Sequence, residues 1–143
     1  MFRVICMADT FFIEEKVRDY ECDIQGIVNN GVYQNYLEHA RHEFLLAKGV
    51  DFVALAEQGL NLVVTRIEID YKTSLRPQEV FRVTVDIKQV SRIRFEFTQN
   101  IFRSSDDALV IAAKVQGTCI NEKGRPTFPD VLRNILDKEK ELA

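Results

Sequence analysis

The run Tyr20-Glu21-Cys22-Asp23-Ile24-Gln25-Gly26-Ile27-Val28-Asn29-Asn30 holds the residues best suited to chemistry. Asp23 stands in a glycine-containing loop directly ahead of an amphipathic segment that begins near Gly31. A helix starting there offers unpaired backbone N–H groups and the positive end of its macrodipole. A carboxylate beside that pole sets an acid or base next to an anion-stabilising site, the minimum equipment for attack on a carbonyl. The residue has a second use, because an aspartate ahead of a glycine also satisfies the backbone N–H groups of its own turn. The residues alone leave both uses open. Asn29 is placed to cap the helix, with the N–H of Asn30 or Gly31 pointing outward.

Other candidates are weaker. Cys22 adjoins Asp23, but His39 and His42 lie more than two helical turns beyond the loop, too far along the axis to activate a thiol there. Cys22 therefore reads as a small packed or idle residue. Glu38, His39 and His42 lack the i, i+4 histidine pair of a helical metal site. Their spacing suits a solvated face with a Glu38–His42 or Glu38–Arg41 pair, and no metal is expected. Lys88, Arg92, Arg94, Lys123 and Arg125 gather in two short segments. Each alone reads as a solvated strand end; together they could receive phosphates.

The elements that position these residues follow from periodicity. Phe11 to Tyr20 reads as a first strand. Tyr33, Tyr36, Leu37, Ala40, Phe44 and Ala47 recur at three- and four-residue spacing and share one helical face, with Gly49 as the stop. A second short helix spans Asp51 to Gln58, capped by Asp51 and stopped at Gly59. From Asn61 the period becomes two. Thr65, Ile67, Ile69 and Tyr71 alternate with charged neighbours, and Phe81 to Ile87 and Ile93 to Phe97 with charged or polar ones; Leu109 to Val115 alternate with smaller or polar residues. Four half-buried strands of this kind argue an antiparallel sheet. A last helix runs from about Asp130 to Glu141. The order of strand, long helix and four strands implies an α+β fold with the sheet curled around the first helix.

Bulk properties set limits. A chain of 143 residues, 46% hydrophobic and 29% charged, suits one globular domain over 1–143 with a core of its own. A net charge of −3 gives no electrostatic reason to expect nucleic acid. Cys6, Cys22 and Cys119 show no C-x-x-C spacing, so reduced thiols in the cytoplasm are the expectation. The stretch Met1 to Thr10 is broken by Arg3 and Asp9 and lacks a signal-type apolar run, and no segment approaches a membrane span.

With these residues in view, the loop and helix resemble the hotdog-fold thioesterases of the 4-hydroxybenzoyl-CoA thioesterase superfamily, in particular the YbgC/FadM-like acyl-CoA thioesterases. The matching residues are Val17 to Asp23, Gly26 to Asn30, and Tyr33, Tyr36, Glu38, Ala40 and Arg41. Ile67 to Arg76, Ser91 to Arg103, and Gly124-Arg125-Pro126 are also similar. The resemblance implies a hotdog fold and cofactor-free hydrolysis of an acyl-CoA thioester at a homodimer or homotetramer interface. Asp23 would be the catalytic carboxylate, as nucleophile or as general base for water, and the Asn30 N–H would polarise the carbonyl. Tyr20 and Gly26 would border the substrate, and CoA phosphates would reach Arg92, Arg94 and Arg125. Many relatives carry His or Tyr where this chain has Asn30, so a side-chain proton shuttle is absent there while the main-chain role persists. Two other readings stand beside this one: a non-catalytic hotdog that binds acyl-CoA or acyl-carrier protein, and a hydratase, disfavoured because His39 and His42 are misplaced for it.

Overall fold

The computed structural model describes residues 3–7 and 10–142; Met1, Phe2, Ala8, Asp9 and Ala143 lie outside the described residues. Seven strands form one antiparallel sheet: β1 (Arg3–Met7), β2 (Thr10–Lys16), β3 (Asn61–Tyr71), β4 (Val80–Gln89), β5 (Arg94–Arg103), β6 (Leu109–Ile120) and β7 (Pro126–Thr127). Their spatial order is β1-β2-β4-β5-β6-β3, with β7 also on β6. Helix α1 (Val32–Ala47) lies on the concave face, followed by α2 (Phe52–Glu57); α3 (Asp130–Leu142) closes the described chain. A curled antiparallel sheet around one long helix is the α+β arrangement expected from the patterning and the hotdog fold that the resemblance implies.

The helix is held by its apolar stripe. Tyr33, Tyr36, Leu37, Ala40, Phe44 and Leu45 are buried, and each large side chain so buried contributes on the order of 1.5–3 kcal/mol. Phe44 meets Phe11 and Phe97 edge-on, with centroids 5.4 and 6.2 Å apart, and the Tyr36 ring packs 4.5 Å from Phe81. Ala40 allows the close approach. Two side chains depart from the expected stripe: Ala47 is exposed, and Arg41, assigned to the solvated face, is buried.

Strand β3 repays a close look. Its register on β6 slips between Val64 and Arg66, a bulge at Thr65. A bulge changes the side-chain parity of a strand. It brings Leu62 and Val64 onto the same face as Ile67, Ile69 and Tyr71, opposite the inward row of β6. Thr65 thus leaves the alternation that the sequence suggested. Gly117 faces the bulge, where an added Cβ would stand 2.7 Å from the Phe95 ring and from the Val63 carbonyl oxygen.

Three expectations need correction. The first strand stops at Lys16, not Tyr20. The chain turns there through a single 3-10 turn, Asp19–Glu21, because the Glu21 carboxylate reaches back to accept the Arg18 N–H at 2.8 Å. The N-terminal residues, read from sequence only as a non-signal segment, supply β1, which pairs with β2 from Arg3 opposite Glu14 to Met7 opposite Thr10. The sheet also gains the short β7, so the five long strands are five of seven.

Candidate functional site

The loop from Cys22 to Asn30 is a closed hydrogen-bonded unit. The Asp23 N–H donates to the Ile27 carbonyl at 2.8 Å, the Gly26 N–H to the Asp23 carbonyl at 3.0 Å, and the Asn29 N–H to the Glu21 carbonyl at 3.0 Å. Cys22 and Val28 form an antiparallel bridge between the two arms. Gly26 has φ +77°, and an added Cβ there would meet nothing within 4 Å. The constraint at Gly26 is therefore left-handed backbone rather than space. From one side, the Val28 N–H donates to the Leu75 carbonyl at 2.9 Å, and the Leu75 N–H donates to the Tyr33 hydroxyl at 3.1 Å.

The turn use of Asp23 is visible. Its Oδ1 accepts the Gln25 N–H at 2.8 Å, a turn contact. Its other oxygen accepts from no described residue, and the side chain is exposed. At the helix start, Gly31 is the N-cap, and the Asn29 side chain acts one step earlier by accepting the Gly31 N–H at 3.1 Å. That removes Gly31 from the outward-facing donors. The Asn30 N–H donates to no described protein atom, while its carbonyl accepts the Tyr71 hydroxyl at 3.5 Å. One loop therefore carries a carboxylate oxygen and a backbone donor that the protein itself leaves available.

The remaining candidates divide. Tyr20 stands in the 3-10 turn ahead of that loop and is 81% exposed, so it borders the surface and not a closed cavity. Cys22 packs against the core. Burial, with Asp19, Glu21 and Asp23 nearby, pushes its thiol up, away from a reactive thiolate. Arg92, Arg94 and Arg125 are not brought to Asp23 within one chain. Arg92 lies in the turn between β4 and β5, Arg94 opens β5, and Arg125 adjoins β7, which pairs with the last residues of β6. The Asp23 loop hangs instead on Leu75, ahead of the first residues of β4. The ten residues of β4 separate these two ends by about 30 Å.

Several interactions escaped the sequence reading. Tyr36 donates its hydroxyl to Glu21 Oε1 at 2.8 Å. Burial and that carboxylate drive the hydroxyl far up, so it stays a donor. Helical periodicity marked the Tyr36 ring as core but says nothing of where the hydroxyl ends; the Arg18–Glu21 spacing of three was the available signal. Arg41 donates from Nη1 to Gln99 Oε1 at 3.0 Å, and Gln99 donates on to the Leu37 carbonyl at 3.0 Å. His39 approaches the buried Glu15 at 3.6 Å, contrary to a purely solvated face, whereas His42 lies 3.8 Å from Glu38, as expected. Between α1 and β3 a cavity of about 330 Å³ is lined by Gln34, Arg41, Leu62, Ile67, Phe95 and Phe97, among others. Its nearest helical residue, Gln34, is one turn past Asn30.

Comparison with known proteins gives a consistent picture. The family model described as the thioesterase-like superfamily matches residues 17–136. The acyl-acyl carrier protein thioesterase ATL2, chloroplastic, of Arabidopsis thaliana is 37% identical over 115 residues, covering 80% of this chain and 61% of that protein. The chain thus spans under two thirds of that relative's length. The long-chain acyl-CoA thioesterase FadM of Escherichia coli is 27% identical over 108 residues, covering 76% of this chain and 81% of that one. Among solved structures, a 1,4-dihydroxy-2-naphthoyl-CoA thioesterase from Synechocystis superposes with a TM-score of 0.85 at 19% identity, covering 90% of this chain and 96% of that one. At that identity the likeness is one of fold. Among the described residues, no helix is long and apolar enough to cross a membrane.

Proposed function

The chain belongs to the thioesterase-like superfamily, and on that premise we propose that it hydrolyses an acyl thioester to a free acid and a thiol, with Asp23 and the Asn30 N–H as its reacting pair. The observation that carries the proposal is the loop itself. It leaves one Asp23 oxygen and one helix-start donor unused by the protein, and the cavity between α1 and β3 begins at Gln34, one helical turn past Asn30. As general base, Asp23 takes a proton from water; the hydroxide adds to the thioester carbonyl, and the Asn30 N–H stabilises the oxyanion. Collapse breaks the C–S bond, and the departing thiolate recovers the proton from Asp23. A single such donor commonly contributes a factor of about 10²–10³ in rate. Nucleophilic attack by Asp23 itself, with water resolving an anhydride, uses the same two groups. No step needs a metal or an organic cofactor.

The thiol carrier we favour is coenzyme A. Arg92, Arg94 and Arg125 are exposed and suit its phosphates, but they lie at the far end of the same chain's sheet. A second copy resolves the distance. Strand β3 is a sheet edge, and its inward-facing Val64, Ile67 and Tyr71 are exposed. An open edge with an apolar stripe is a pairing surface. Antiparallel pairing of β3 with its own copy would lay the Asn61 end of the partner beside the Tyr71 end of this chain. The partner's basic turns would then approach the Asp23 loop. We therefore propose a homodimer or larger symmetric assembly, acting in the cytoplasm, where its thiols remain reduced.

The test is a panel of acyl-CoA thioesters followed by release of free thiol, with Asp23→Asn alongside. The expected result is turnover by the parent chain and a loss of at least about 10²-fold in kcat for the variant, with the fold and assembly unchanged. A variant that turns over at the parental rate removes Asp23 from the mechanism. Binding of acyl-CoA without thiol release would favour the non-catalytic reading.

A further inference from the structure

We infer that Glu21 and Tyr36 form a positioning pair that holds Asp23 at a fixed distance from the Asn30 N–H. The inference rests on the roles proposed for Asp23 and Asn30 and adds two residues that touch neither substrate nor reacting atoms.

The loop has two arms of unequal support. Asn30 leads directly into α1 and is carried by the helix. Asp23 sits on the other arm, where Tyr20 and Ile24 are exposed and the small Cys22 side chain supplies the apolar contact with the core. The bonds that join the arms, from Asp23 to Ile27 and from Asn29 to Glu21, are internal to the loop. They close the turn locally and do not tie the Asp23 arm to the body of α1. The attachments to the body of the protein are few. Val28 bonds to Leu75 on the helix-side arm, and the Gln78 side chain donates to Asp19 at 3.1 Å in an exposed contact. The partly buried link on the Asp23 arm is the 2.8 Å bond from the Tyr36 hydroxyl to Glu21 Oε1, two residues from Asp23.

Glu21 is shaped for this task. The same Oε1 accepts the Arg18 N–H at 2.8 Å, and Oε2 lies 3.5 Å from Arg18 Nη1. Its backbone carbonyl receives the Asn29 N–H, one residue from Asn30. One residue thus bonds to the turn before Asp23, to the arm that carries Asn30, and to the second turn of α1. Tyr36 in turn cannot drift, because its ring is wedged against Phe81 and Tyr33. Hydrogen bonds to a carboxylate are about twice as strong as neutral ones, and this one is partly buried. Displacements of about 1 Å in a reacting group can cost as much as 10²-fold in rate.

Tyr36→Phe keeps the ring and deletes the bond. The expected result is a fall of about tenfold in kcat with KM within twofold of the parent, and faster amide hydrogen exchange at Asp23 and Asn29 with β4 amides unchanged. Glu21→Ala is expected to lose at least as much. Glu21→Gln, which keeps an oxygen to accept both donors, is expected to recover to within about threefold of the parent. Parental kcat in Tyr36→Phe overturns the inference, as does a fall in kcat with unaltered exchange in the loop, or a Glu21→Gln as impaired as Glu21→Ala. If the parent hydrolyses no thioester, the proposed function falls and the positioning role falls with it; if the parent turns over and Tyr36→Phe matches it, the positioning role alone is lost.

Discussion

The two flanks of α1 are built to different ends. On one side lies β2, paired to β1 and β4, with Phe11, Phe12, Ile13 and Glu15 buried. On the other lies β3, hydrogen-bonded to β6 alone, with Ile67 37% and Tyr71 50% exposed on its inward face. The closed flank can bury an acid because a histidine from the helix meets it there. The open flank leaves a cavity, an apolar stripe and a row of backbone donors and acceptors without strand partners. A strand of five residues covers the β2 edge, whereas no strand among the described residues covers the outer edge of β3. The difference makes β3 the edge at which we propose that a second copy pairs.

The comparison breaks most visibly at Ile67. Ile67→Glu sets a charge in the middle of the open stripe, where pairing would have to bury it, and unpaired buried charges are strongly disfavoured. We expect dissociation to monomers by sedimentation or light scattering and a loss of at least about 10²-fold in thioester turnover, because the partner's basic turns are withdrawn. Lys16→Glu, which also places a carboxylate but on the closed flank, should leave assembly intact. Equal assembly in both variants would remove β3 as the interface.

Arg41 tests the same flank at smaller scale. It is 8% exposed, burial lowers its pKa, and its bond to Gln99 reaches into the core through the Leu37 carbonyl. Arg41→Ala takes the donor from a fully buried Gln99 oxygen, which typically costs about 1–3 kcal/mol, and trims the packing of the arginine stem. Urea unfolding should show that loss, while Arg41→Met, which retains the stem, should recover part of it. A loss confined to the guanidinium would mean that Met recovers none.

What could be read before the structure, and what could not, follows the same division. The buried face of α1, from Tyr33 to Phe44, was legible because a helix repeats every 3.6 residues and one stripe must find a sheet. The Asp51 cap was legible because the side chain acts on its own turn: it accepts the Val53 and Ala54 N–H groups at 2.9 and 3.2 Å. The bulge at Thr65 was not, since it depends on the β6 register and on Gly117 opposite. Nor was the burial of Arg41 or the Glu15–His39 contact legible, because each is decided by a residue 58 or 24 positions away in the chain, in another element. In the candidate site, the loop and its two named groups were visible as local chemistry. The links that orient it, Glu21 to Tyr36 and Leu75 to Tyr33, join segments whose adjacency exists only in the fold.

The smallest expected effect belongs to the closed flank and depends on pH. Burial raises the Glu15 pKa; His39, at 3.6 Å, and Arg18 oppose that rise, and Glu21 adds to it. The folded chain therefore holds a proton on Glu15 at pH values where the unfolded chain has released it. Stability falls with rising pH wherever the folded state binds more protons. The cost of the buried charge is absent well below the ordinary carboxylate range, grows as pH climbs from that range to the raised folded pKa, and is complete above it. Glu15→Gln removes the charge, so its stability relative to the parent should be most favourable at neutral pH and should shift toward the parent's disadvantage least at acid pH. Urea unfolding of both chains at pH 4 and pH 7 checks the sign. A relative gain that is larger at pH 4 than at pH 7 would mean that His39 more than offsets burial, and that the closed flank is held together by an ion pair rather than merely tolerating one.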